Sequence, residues 1–214
     1  IADQHEKRCE EREIPATITK DLIQTNWYNT LKHLYEYELE KDETRCITDL
    51  WRIKNNQGMM QENTTFFEFK KKFQSLVDTD NVNLMNELVI NCNNWSPYTE
   101  AYCKIYTKKM GEEFSLANMT QKSTINLDRI LNKIALPDEF RLPLTSAFLR
   151  YDQGDFEKFS EFMEKALLRM HGLKTHRSIS RGRAQLTKLS QEIFSLNEPI
   201  EYSLSEICKI VNEL

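Results

Sequence analysis

A chain of 214 residues, 40% of them hydrophobic, is long enough to bury a sizeable core as one large domain or two small ones. Its five glycines and five prolines are too few for the many turns of an all-β fold, which favours helices joined by short connections. The net charge of −4 does not by itself imply a nucleic-acid partner, and the apolar runs are too short for a transmembrane helix.

The N-terminal part of the chain contains a charged lead-in or frayed helix, residues 1–15, followed by two helical patterns. Apolar residues recur at three- and four-residue spacing from about Thr19 to Lys41 and from about Thr44 to Asn56. The two helices are expected to pack with Trp27 against Trp51, as large aromatic side chains usually belong to a core.

Capping signals predict two further helix starts. Thr65 and Glu68 have the spacing of a capping box, in which each side chain bonds to the backbone of the other residue. Ser96 and Pro97 are typical of an N-cap and first helical position, so a new helix is expected to follow one at about 82–92. The apolar face of the helix opened by Thr65 is expected to contain Phe66, Phe69, Phe73, Leu76 and Val77.

The clearest pair of helical patterns lies in residues 136–172. Asp138 and Asp155 are placed to cap two amphipathic helices joined by a tight turn, which form an αα-hairpin. A helix at about 186–194 and a terminal helix opened by a capping box at Ser203 follow. The chain is therefore predicted to be all-α, with about ten to eleven helices in tandem helical hairpins, as an α-solenoid or an irregular helical bundle.

Composition also suggests where the domain begins and ends. After the lead-in, residues 16–172 are expected to form a helical-hairpin domain, and residues 173–183 a basic loop. Residues 184–214 are then a C-terminal helical pair that packs on the same domain.

The G-D-F run at 154–156 and the Ala-Leu pair at 166–167 resemble the second half of a tetratricopeptide repeat. The first half departs from that pattern, with Pro143 at its aromatic position. The resemblance covers about residues 140–173, has no second copy about 34 residues away, and implies helical-repeat-like packing. The LPDEF run at 136–140 also resembles retroelement capsid proteins.

No motif of an enzyme or a metal site is present. The sequence contains no P-loop, no dinucleotide-binding glycine motif, no nucleophile elbow and no H-E-x-x-H zinc motif. His171 and His176 are five residues apart, which does not place both on one metal-binding face of a helix. A cysteine nucleophile would need a histidine beside it in the fold, and the sequence selects no pair. We therefore expect a non-enzymatic protein without cofactor or metal.

The cysteines and three glycosylation triplets give opposing indications of the compartment. Five dispersed cysteines predict unpaired buried thiols, typical of an intracellular protein of the cytoplasm or nucleus. Triplets of the form N-x-S/T at Asn63, Asn94 and Asn118 leave a secreted helical protein open as a third possibility. The cysteines are Cys9, Cys46, Cys92, Cys103 and Cys208.

One segment has an unusual charge. Between Lys165 and Gln191 there are seven Lys or Arg residues and no Asp or Glu, although the chain as a whole is acidic. The segment is expected to bind nucleic acid or an acidic partner, or to lie on the protein's own acidic surface. Ser178 and Ser180 are candidates for phosphorylation, which would cancel much of that charge. The candidate binding residues are Arg169, Lys174, Arg177, Arg181, Arg183 and Lys188.

Together these patterns favour a non-enzymatic helical scaffold that mediates protein–protein interaction as part of a larger intracellular protein or complex. Its partner is expected to be a peptide or helix bound in a groove between helical pairs. The alternative is a helical domain that binds RNA or other nucleic acid through the basic segment at 169–188.

Overall fold

The computed structural model describes residues 1–55, 62–74, 79, 81–107, 119–134, 138–173, 183–196 and 198–213. Over these residues the protein has ten α-helices and no strand, and the helices pack in pairs, which confirms the predicted all-α fold. The first five helices are α1 (Ala2–Glu11), α2 (Lys20–Glu36), α3 (Glu43–Asn55), α4 (Glu62–Gln74) and α5 (Val82–Tyr106). The other five are α6 (Gln121–Asp128), α7 (Asp138–Arg150), α8 (Gln153–Leu173), α9 (Arg183–Gln191) and α10 (Ile200–Glu213).

Contacts along the chain divide the protein into two compact units. The first unit comprises Ile1–Thr48 and Gln61–Cys103, and the second comprises Asp49–Met60 and Lys104–Leu214. Most of the predicted basic loop, residues 174–182, lies outside the described residues.

The second unit contains one continuous apolar core. Helix α7 packs against α9, and α8 packs against α6 and α10. The predicted apolar stripe of α8 is buried at Phe156, Phe159, Met163 and Leu167, four positions with helical spacing. Core side chains of α9 and α10, such as Leu189 and Ile207, complete this cluster. The αα-hairpin of α7 and α8 is therefore part of a larger helical core.

A buried ion pair crosses the same unit. The Arg141 guanidinium donates from Nε to Asp49 Oδ2 at 2.6 Å and from Nη2 to Asp49 Oδ1 at 3.2 Å. Arg52, one turn after Asp49 on α3, adds a second guanidinium 3.6 Å from the carboxylate. Both groups of the bidentate pair are almost fully buried, so each depends on the other for compensation of its charge.

Two predicted caps of the second unit are wrong. Asp152 Oδ1 accepts the backbone N–H of Asp155 at 2.8 Å, so α8 starts at Gln153 and Asp155 lies in its first turn. Helix α10 starts at Ile200, directly after a proline, and Ser203 is a buried interior residue whose hydroxyl bonds to the Tyr151 hydroxyl at 2.7 Å. In both cases a residue nearer the turn starts the helix.

In the first unit the charged lead-in forms a regular helix. Residues Ala2, His5 and Cys9 of α1 are buried on one face. Glu6 Oε1 accepts the Lys20 backbone N–H at 2.7 Å, and the Thr19 hydroxyl caps the same end of α2. A carboxylate beside the positive end of a helix is favourable, and this contact joins α1 to α2.

The helix starts predicted at Thr65 and Ser96 in the first unit are also wrong. Helix α4 starts at Glu62, so Thr65 is an interior residue, and its buried hydroxyl bonds to that of Thr48 at 2.7 Å. Helix α5 continues through Pro97 as one helix of 25 residues. An interior proline costs about 3 kcal/mol, but packing continues on both sides of it, with Trp95 and Tyr98 buried.

A candidate partner-binding groove

An open groove lies in the first unit between the start of α1, helix α2 and helix α4, and we call it the α1–α2–α4 groove. It encloses about 690 Å³, and Ile23, Phe66 and Phe69 provide its apolar lining. Phe66 and Phe69 are three residues apart on α4, so both side chains lie on the same face of that helix. Lys20 and Lys70 stand among its polar lining residues.

Aromatic contacts fix the floor of this groove. The Phe69 ring is 4.9 Å from the Phe73 ring and 6.0 Å from the Trp95 ring, measured between centroids. Trp95 in turn meets the edge of Trp27 at 5.6 Å with an interplanar angle of 80°. The partner predicted for Trp27 was Trp51, which belongs to the second unit. This T-shaped geometry is favourable for aromatic rings, so Phe69 is held by the core beneath it.

The mouth of the groove carries an unusual apolar surface. The Phe66 side chain is 76% exposed and the adjacent Phe67 is 64% exposed. The prediction that Phe66 belongs to the buried face of its helix is therefore wrong, because no described element covers that turn of α4. Large apolar patches on a protein surface usually mark a site of interaction.

Two exposed lysines follow this apolar turn of α4. Lys70, one turn after Phe66, lines the groove, and Lys71 lies one turn after Phe67. Both are exposed and make no ion pair within the described part of the chain. By contrast, Lys72 is held by Glu87 at 2.7 Å, and Lys20 lies 3.6 Å from Asp3. Lys70 is thus available to an acidic ligand in the groove.

The structure describes only part of the predicted basic site. Arg169 is exposed in the last part of α8, whereas Lys188 on α9 lies 3.5 Å from Glu192. Lys165, at the start of the same charge segment, is paired with Glu161 at 2.7 Å. Two of the segment's cations therefore already have acidic partners within the protein. Arg183 is the first residue of α9, while Lys174, Arg177, Ser178, Ser180 and Arg181 lie outside the described residues.

Two histidine contacts resemble parts of catalytic sites. His5 Nε2 is 3.5 Å from Cys9 Sγ, but the two residues are only 2% and 4% exposed, which leaves no access for a substrate. Burial, followed by the charge of Arg8, lowers the pKa of His5, which favours a neutral ring. This cysteine–histidine pair is best explained as packing of α1.

The second contact places the hydroxyl of Ser96 3.1 Å from His33 Nε2, with Glu36 3.9 Å from His33 Nδ1. The order of groups resembles a serine-hydrolase triad, but the distance between His33 and Glu36 is too long for a hydrogen bond. Ser96 also lies in the interior of α5, where backbone N–H groups bond within the helix and do not form an oxyanion hole.

The cysteines are mostly internal. Cys9, Cys46, Cys92 and Cys103 are buried with free thiols, and Cys208 is free but exposed, contrary to the prediction that all five are buried. Burial raises the pKa of both Cys92 and Cys103 to about 12, so these two thiols are protonated at neutral pH.

The described residues contain neither a metal-binding cluster nor a membrane-spanning helix. Among them, no group of three or more His, Cys, Asp or Glu side chains is arranged to hold a metal ion. None of the described helices is both long enough and apolar enough to cross a membrane. Asn94, part of one glycosylation triplet, lies inside α5 and donates from its side-chain amide to the Ile90 carbonyl at 2.7 Å. That position is a helix interior, whereas glycosylated asparagines usually lie on surface loops.

No family model matches the chain, and no curated protein or solved structure matches it. The resemblance of residues 140–173 to a tetratricopeptide repeat therefore stays a prediction. Pro143, which departs from that pattern, is buried inside α7.

Proposed function

We propose that the protein is a non-enzymatic helical scaffold that binds a protein partner in the α1–α2–α4 groove. The partner segment is an amphipathic helix or peptide with acidic residues next to its apolar anchors. The observation that carries this proposal is the Phe66 side chain, which is 76% exposed at the mouth of the groove. A scaffold of this kind acts as part of a larger intracellular complex.

Burial of Phe66 by a partner would supply a large share of the binding energy. Removing a Phe side chain from water contributes about 1.5–3 kcal/mol, and such aromatic anchors often dominate an interface. Because Phe69 is fixed against Trp95, part of the groove is already ordered before binding. A preorganised surface loses less conformational entropy when the partner arrives.

Charge supports the choice of partner. Lys70 lies one turn after Phe66 in the groove lining, Lys71 lies one turn after Phe67, and both are exposed. Acidic residues on the partner would be attracted to these ammonium groups, which mainly raises the association rate and fixes the register. A helix in such a groove presents apolar anchors at positions i, i+3 or i+4, and i+7.

A display selection tests this proposal with a defined probe. The full chain is used to select peptides from a random library, and selected peptides are synthesised and titrated against purified protein. We expect enrichment of large apolar residues flanked by Asp or Glu. The affinity should fall at least tenfold in Phe66→Ala and severalfold in Lys70→Glu.

The matched control is Tyr35→Ala, which removes another exposed aromatic side chain of the first unit that does not line the groove. It should bind the selected peptides with unchanged affinity. Peptides that bind Phe66→Ala as tightly as the original protein would overturn the proposal, as would a selection that enriches basic peptides. Circular dichroism verifies that each variant remains helical.

A second proposal is RNA binding through the basic segment, and one observation favours it. Arg169 is exposed and makes no ion pair within the described residues. When basic side chains neutralise RNA phosphates, counterions are released, so the binding constant falls steeply as the salt concentration rises. Replacement of Arg177, Arg181 and Arg183 by Glu should then abolish salt-dependent binding of single-stranded RNA. Unchanged affinity would reject this function.

The intracellular location is also a proposal, and the free thiols support it. All five thiols are free in the structure, whereas proteins of oxidising compartments commonly form disulfides. The protein is purified without reductant, unfolded in denaturant and alkylated. Mass spectrometry should then find all five cysteines modified. A recovered disulfide would favour a secreted protein instead.

A further inference from the structure

Two cations in the second unit share one aromatic ring. Lys54 Nζ lies 5.1 Å from the centroid of the Phe194 ring, and the guanidinium carbon of Arg150 lies 4.8 Å from the same centroid. Lys54 belongs to the last turn of α3, Arg150 is the last residue of α7, and Phe194 lies in the π-helical turn Glu192–Leu196. Three separate elements therefore bring these side chains together.

Among the described residues, no carboxylate forms an ion pair with Lys54 or Arg150, unlike Arg141, which has a bidentate partner in Asp49. Burial, and then the charge of Arg150, lowers the pKa of Lys54, as expected for an ammonium held near another cation. An anion that reaches both groups would relieve this repulsion.

The helix dipole and the aromatic ring can each explain why one cation lies here, but they do not explain why two cations lie beside the same ring. A cation at the C-terminal end of a helix is stabilised by the helix dipole, and a cation over an aromatic face is attracted to the ring. Either contribution is available to Lys54 or Arg150 alone. Placing both beside one ring adds repulsion that neither the dipole nor the ring removes.

Exposure restricts the kind of ligand. Phe194 is only 4% exposed, so its ring is not available for stacking on a nucleobase. Arg150 is exposed and Lys54 half-buried, so their charged ends remain open to a small ligand. An ammonium supplies a compact charge, and a guanidinium supplies parallel N–H donors that match the oxygens of a phosphate.

We propose that Lys54 and Arg150, supported by Phe194, form a binding site for a compact phosphate, either inorganic phosphate or a small phosphate monoester. This site lies in the second unit and is independent of the α1–α2–α4 groove. The Lys54 ammonium binds one phosphate oxygen, and the Arg150 guanidinium donates to one or two others.

Nuclear magnetic resonance of the full chain tests this site directly. Lysines are labelled by reductive ¹³C-methylation, which keeps their charge, and the Lys54 signal is assigned by its loss in Lys54→Arg. Inorganic phosphate and glycerol phosphate are titrated separately, with chloride at the same ionic strength as the reference. We expect a saturable shift of the Lys54 signal with at least one phosphate and none with chloride.

Two controls separate specific binding from a general charge effect. The signal of Lys158, an exposed lysine of the same unit paired with Asp155, should not move with phosphate. Arg150→Met should weaken phosphate binding at least tenfold while the helical content remains unchanged. Equal responses to phosphate and chloride, or unchanged affinity in Arg150→Met, would overturn the proposal. Saturation by single-stranded RNA but by neither small phosphate would also overturn it.

Discussion

The two units use similar helical patterns in different ways. In the second unit the apolar stripe of α8 is completely covered, and Phe159 is fully buried. In the first unit the apolar stripe of α4 begins at an exposed Phe66, and burial increases only further along, to Phe73. Periodicity thus shows that a face is apolar, whereas its neighbours decide whether that face becomes core or a surface for a partner.

Replacing one phenylalanine in each unit sharpens this comparison most. Phe159→Ala should lower the free energy of unfolding by about 3–5 kcal/mol because it leaves a cavity in a packed core. Phe66→Ala should change it by no more than about 0.5 kcal/mol, since the side chain is exposed. Urea unfolding followed by circular dichroism measures both. A loss of several kcal/mol in Phe66→Ala would show that this ring is structural.

The buried ion pair of the second unit gives an effect of comparable size. Asp49→Ala leaves the buried Arg141 guanidinium without its bidentate carboxylate and should cost about 3–5 kcal/mol. The double variant Asp49→Ala/Arg141→Met removes the bidentate pair and should recover part of that loss in chemical denaturation, since Arg52 still loses the Asp49 carboxylate. If the double variant is less stable than Asp49→Ala alone, the pair is not the reason for the loss.

A smaller effect is expected at the buried hydroxyl pair of the first unit. Thr48→Val leaves the Thr65 hydroxyl without the hydrogen bond of 2.7 Å and should cost about 1–3 kcal/mol. Thr48→Val/Thr65→Val removes both polar groups and should come close to the original stability. A double-mutant cycle measured by urea unfolding gives the coupling energy, and additive losses would contradict a direct interaction.

The smallest effect is a pH dependence from His5. Its pKa is lowered in the folded protein, so above pH 6.5, the ordinary value, the ring is neutral in both the folded and the unfolded state. As the pH falls below 6.5, the unfolded state takes up a proton that the folded state resists, so stability decreases. His5→Gln should flatten the difference in unfolding free energy between pH 7.5 and pH 5.5. An identical pH profile in the variant would exclude His5 as the cause.

The all-α fold could be predicted because it depends on short-range patterns. Helical spacing alone predicts a helix from about Thr19, within one residue of the observed start of α2. Composition predicts only a charged lead-in or frayed helix over α1, because its buried face consists of Ala2, His5 and Cys9, which carry little hydrophobic signal. The hydrogen bond from its Glu6 carboxylate to the N-terminal end of α2 is a tertiary contact that no local pattern contains.

The wrong helix starts have one common cause. A threonine or serine three residues before a glutamate has the spacing of a capping box, but the same hydroxyl can bond to a distant helix. Thr65 bonds to Thr48 and Ser203 bonds to Tyr151, so both lie inside their helices. The choice depends on tertiary neighbours and is not visible in the sequence.

The candidate site was only partly predictable. The sequence predicts a groove between helices but not its position. Phe66 is exposed because no described element packs over its turn of α4, and local sequence does not determine that packing. The shared ring of Phe194 joins Lys54 to Arg150, two residues on helices far apart in the chain. Such a pair leaves no trace in local spacing or composition.

The buried hydroxyls also have consequences for sequence divergence. Thr30, Thr145 and Ser190 each donate to the backbone carbonyl four residues earlier in their own helix. With alanine at one of these positions, the carbonyl still accepts the N–H of the helix backbone. Substitutions at these three positions therefore do not require a matching change elsewhere in the chain. The pairs Thr48–Thr65 and Tyr151–Ser203 depend on a partner far along the chain and should covary between homologues.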